Sequence, residues 1–102
     1  GDLLVREKPV LECKLGDAPD RRQFKALPKE RQEAIMSLSD AWANGPEEAT
    51  LEGVVSTNAL PRGPRSDRTI LCVMASRFNH SCAPSAEYLW VEETGCEEVR
   101  AV

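Results

Sequence analysis

Between residues 3 and 13 the chain alternates branched apolar and charged side chains around Pro9. This is the pattern of two short strand pieces meeting at a bend, because proline has no N–H to give to a ladder. "LGDAPDRRQ" breaks the alternation with Gly16, Pro19 and several charges, and reads as a loop. The period then changes. In "ALPKERQEAIMSLSDAWANGP" the residues Ala34, Ile35, Leu38, Ala41 and Trp42 fall on one face at helical spacing, Pro28 suits a first turn, and Gly45 with Pro46 ends the run. The spacing predicts a core-facing amphipathic helix over residues 28–44. "LEGVVSTNAL" has too few apolar positions to separate a short strand from the end of a second helix. "PRGPRSDR" reads as a solvated basic loop. "TILCVMAS" is a continuous apolar run of strand length, as expected of a strand buried on both faces. Beyond residue 85, Ala86, Tyr88 and Trp90 alternate with Glu87 and Leu89, "EETG" turns at Gly95, and "CEEVRAV" is apolar at Val99 and Ala101. That is a hairpin.

Length bounds this picture to one small domain or part of one, since 102 residues bury only a modest core. With 41% hydrophobic and 29% charged residues, the chain has the composition of a folded protein rather than of a disordered one. A net charge of -4 argues against a nucleic-acid module, which needs a concentrated basic surface, and suits a basic partner such as a lysine-rich tail. No apolar run approaches the roughly 20 residues that span a bilayer, and the start lacks the layout of a secretion signal. A soluble intracellular protein, nuclear or cytoplasmic, is the expectation. Cys13, Cys72, Cys82 and Cys96 are scattered without a C-x-x-C pair, so neither a zinc knuckle nor a dithiol redox motif is written here, and no metal site is predicted. The cysteines are expected to be reduced and partly buried. The abrupt ends suggest an excised piece of a longer chain.

The densest polar chemistry lies in "SRFNHSCAP", which holds His80, the single histidine. Read from residues alone, it is a polar turn at the end of the apolar run, closed by Pro84. Asn79 and His80 offer donors and acceptors where backbone groups leave the sheet, which suits a polar ligand. Equally, Asn79 and Ser81 could cap their own turn around a satisfied histidine. A Cys82–His80 nucleophile pair is a third option, though no orienting group is identifiable.

The string "NHSCAPS", residues 79–85, resembles the N-H-S-C-x-P-N signature of SET-domain protein-lysine methyltransferases, matching six of seven positions. "SRF" is similar to the family's lead-in, and "GDLLVREKPVLE" to its early strand, which commonly ends in E-x-P. "STNAL" resembles the segment before the signature in the branch with a helical insertion, and "EEVRAV" the strand after it. The resemblance implies an α+β, mostly β fold: a β-clip-like SET core fragment, with a loop and helical insertion at residues 18–50 and the strand, signature and hairpin at 68–102. It implies S-adenosyl-L-methionine as cofactor and a lysine-containing protein, histone or other, as substrate. Nucleic acid and membrane are not implied as direct partners. Asn79 and His80 would contact the cofactor, Ser76, Arg77 and Phe78 would line its pocket largely through backbone groups, and Asn58 would approach from the insertion. Alignment of lysine nitrogen, methyl carbon and sulfur would supply much of the rate.

Three departures qualify the likeness. Ser85 replaces the signature's final asparagine. The family's glycine-rich cofactor segment would lie before Gly1, and its catalytic tyrosine beyond the last residue, so Tyr88, the single tyrosine, is assigned no catalytic role. On this inventory the 102 residues alone are expected to be inactive, and a non-catalytic SET-like interaction module is the alternative reading.

Overall fold

Pro9 divides the first strand run as its chemistry requires, and the two pieces join different sheets. In the computed structural model, which describes residues 2–81 and 86–102 and only the backbone of 79–81, β1 (Leu3–Glu7) pairs antiparallel with β6 (Cys96–Ala101). The hairpin partner β5 (Ala86–Val91) lies on the far side of β6, so the first sheet has the order β1-β6-β5 among the described residues. Gly95 takes the turn with φ of 65°, a backbone conformation that side chains disfavour. Past Pro9, Val10 N–H donates to Leu71 at 2.9 Å and starts the second sheet. There β2 (Leu11–Lys14) and the short β3 (Leu60–Pro61) flank β4 (Arg68–Leu71), all antiparallel.

Two apolar clusters fill the molecule, and the chain from β4 onward threads between them. Leu71 and Val73 pack with Leu11, Ile35, Leu38, Leu51, Val54 and Val55, whereas Ile70, Cys72 and Ala75 pack with Val99. Residues 70–73 thus alternate between two interiors, which is why the run reads as uniformly apolar. The predicted strand nevertheless stops at Leu71. From Val73 to Ser81 the chain is a helix, α4, and the expected polar turn after a strand is corrected accordingly. Burial of Cys72, Ala75 and Ser76 follows helical spacing, with Met74 and Arg77 exposed.

The predicted helix over residues 28–44 is also shorter. It spans Lys29–Met36 (α2), preceded by α1 (Arg21–Lys25), which begins inside the expected loop, and followed by a 3-10 turn at Pro46–Glu48. Ile35 and Leu38 are buried as expected, but Trp42 is 79% exposed. Local hydrogen bonds explain the early stop: Ser37 Oγ donates to Ala34 at 2.6 Å, and the Asp40 carboxylate accepts from Trp42 N–H at 2.9 Å and Thr50 N–H at 3.0 Å. Serine and aspartate offer the backbone alternatives to the helical ladder, and here they win. The ambiguous "LEGVVSTN" is a helix, α3 (Leu51–Asn58), capped by Thr50 Oγ1 accepting from Gly53 N–H at 3.0 Å.

Candidate functional site

Helix α4 carries five of the six residues expected at the cofactor site. It packs against β1 and β6, with its start fixed by β4 and by a carboxylate from the first sheet. Ser76 is fully buried, and its Oγ donates to Cys72 at 2.7 Å. Phe78 packs on the second apolar cluster. Arg77 faces outward, its Nη1 lying 3.8 Å from Met74 Sδ. The side chains of Asn79 and His80, and residues 82–85, fall outside the described set, so the signature's own polar groups are placed only by the helix backbone.

The helix changes what these residues offer. In a turn at a strand end, the backbone N–H groups of Ser76, Arg77 and Phe78 would be open to a ligand. In α4 they belong to the helical ladder, with Ser76 N–H donating to Cys72 at 2.9 Å. Asn58 lies on α3 at 2% exposure, its Nδ2 donating to Ser39 at 2.7 Å and to Val54 at 2.9 Å. Its amide thereby ties the end of α3 to the segment after α2.

A second concentration of chemistry was not legible in advance. Glu97 on β6 is 3% exposed, and its Oε2 has no hydrogen-bond partner among the described residues. Burial pushes its carboxyl up to about 7. It lies at a groove of about 360 Å³ with Leu60, Pro61, Tyr88, Leu89 and Trp90. Arg62 covers the Trp90 ring, its guanidinium 5.1 Å from the ring centroid. The signal was present in "CEEVRAV", where period two puts Glu97 on the same face as Val99, but composition alone marks a glutamate as exposed.

The adjacent Glu98 points to the other face, between Arg6 at 3.1 Å and Arg100 at 3.0 Å. Burial raises its carboxyl, but the two guanidinium hydrogen bonds outweigh that and hold it below the usual carboxylate range. Cys72 is pushed far up, first by burial and then by the nearby Glu7, Glu97 and Cys96, which makes it a poor nucleophile. Cys13, Cys72 and Cys96 are free thiols. Among the described residues no three metal-ligating side chains converge, and no helix is long and apolar enough to cross a membrane. The chain matches no family model, no curated protein and no solved structure.

Proposed function

We propose that this chain is part of an insertion-bearing SET domain and contributes the asparagine–histidine half of an S-adenosylmethionine site in a protein-lysine methyltransferase. The observation that carries the reading is the string "NHSCAPS", which begins in the last turn of α4. When bound, the cofactor supplies a methyl group on a positive sulfur, ready for attack by an amine. The chain's part is placement. α4 carries Asn79 and His80 in its last turn, Ser76 and Phe78 pack the helix against the interior, and Asn58 holds the neighbouring helix. Groups aligned before the reaction lower its barrier by removing the cost of orientation.

Calorimetry with S-adenosylmethionine on the longest available form of the protein tests the assignment. Asn79→Ala should weaken binding by roughly 1–3 kcal/mol, the usual cost of leaving buried polar partners unsatisfied. A radiolabelled methyl-transfer assay on histones and lysate proteins tests the reaction itself. Cofactor binding without transfer would favour the interaction-module alternative; unchanged affinity in Asn79→Ala would remove the site.

A further inference from the structure

We infer that Glu7 is a positioning residue for this site: its carboxylate, reaching across from the end of β1, sets where α4 starts and hence where the helix delivers its last turn. The inference rests on the methyltransferase reading for what that turn does, though not for how it is held.

The first turn of any α-helix has N–H groups without intrahelical partners, and a serine, threonine or aspartate just before the helix usually accepts from them. Here the preceding residue is Cys72, whose buried thiol is a weak acceptor. Glu7 takes over. Its Oε2 accepts from Met74 N–H and its Oε1 from Ala75 N–H, each at 3.0 Å. A local cap would hold the helix only to its own chain. A cap from β1 instead ties the start of α4 to the first sheet, while Leu71 ties the preceding residue to the second.

Glu7 is well placed for this. It is the last residue of β1, two before the bend at Pro9, so its backbone is fixed by the ladder on one side and the sheet switch on the other. Its cross-strand partner is Glu97. A carboxylate beside the exposed N–H groups of a helix N-terminus also meets the favourable end of the helix dipole. Nine residues of helix turn a small change of angle at Val73 into a larger displacement at Ser81.

The experiment uses the full chain, with Glu7→Ala, Glu7→Gln and the exposed charge control Glu93→Gln. Amide hydrogen exchange reads Met74 and Ala75; proton NMR reads the imidazole, unambiguous because the chain has one histidine; calorimetry reads S-adenosylmethionine affinity. In Glu7→Ala, exchange at both amides should accelerate and cofactor affinity fall, each on the order of tenfold. The imidazole signal should move. Glu7→Gln, which keeps the shape and one accepting oxygen, should fall between, and it decides the matter if the alanine variant does not fold. Unchanged exchange and an unmoved imidazole signal in both Glu7 variants, or the same changes in Glu93→Gln, would overturn the inference. If the parent protein does not bind S-adenosylmethionine, the methyltransferase reading falls, while exchange and the imidazole signal still decide how α4 is held.

Discussion

Glu97 and Glu98 are neighbours in sequence with opposite electrostatic fates, because successive residues of a strand face opposite sides of the sheet. Glu98 meets two arginines, whereas Glu97 faces the interior, opposite Glu7 on one side and Trp90 on the other. A carboxyl raised from 4.5 to about 7 in the folded chain holds a proton that the unfolded chain releases. The folded state therefore binds more protons between these values, and stability declines as pH rises from 4.5 through 7. The loss from this group amounts to up to about 3 kcal/mol. Glu97→Gln should flatten that decline, and urea midpoints measured between pH 5 and 8 read it directly. An equally steep decline in the variant would place the titrating group elsewhere.

At the scale of elements, periodicity located β1, β2, the core of α2 and the β5–β6 hairpin, but it passed over α1, left α3 undecided and read the nine residues of α4 as strand and turn. The helical stripe from Ala34 to Leu38 was legible, yet Trp42 was assigned to the core because spacing alone cannot see Asp40 capturing two backbone N–H groups. The close fit of this segment against α3 makes a test. A Cβ on Gly53 would overlap the Asp40 carboxylate, so Gly53→Ala must displace a group anchored by those bonds. Helix propensity favours alanine by about 1 kcal/mol, but the displaced contacts should make the variant less stable by about 1–3 kcal/mol. In an Asp40→Ala background the same change should become neutral or stabilising. Additive effects in that double-mutant cycle would show that the two residues do not interact.

Across the whole molecule, the candidate site was legible as a string of residues but not as a shape. "NHSC" stood out by chemistry, whereas the support from Glu7 was invisible because its helix partners lie 67 and 68 positions away. Likewise, the run from Ile70 to Val73 gave the correct burial, but the strand read through it ends at Leu71 and Val73 already starts α4. That shared run joins the two sheets, so they should melt as one unit. The two tryptophans make this measurable: Trp42 follows α2, and Trp90 lies in the first sheet. Denaturation followed in Trp42→Phe and separately in Trp90→Phe should give coincident curves, apart from any shift in overall stability shown by circular dichroism of each variant. Separated transitions within one variant would mean that the sheets unfold independently. A different consequence follows from the register of β1, in which Leu3 faces Arg100. Strands so far apart in the sequence cannot meet until nearly all the intervening chain has left the ribosome, and closing so long a loop must precede any gain from the contact. During synthesis β1 waits with its ladder groups unpaired, and the first sheet completes only after the hairpin emerges to receive it.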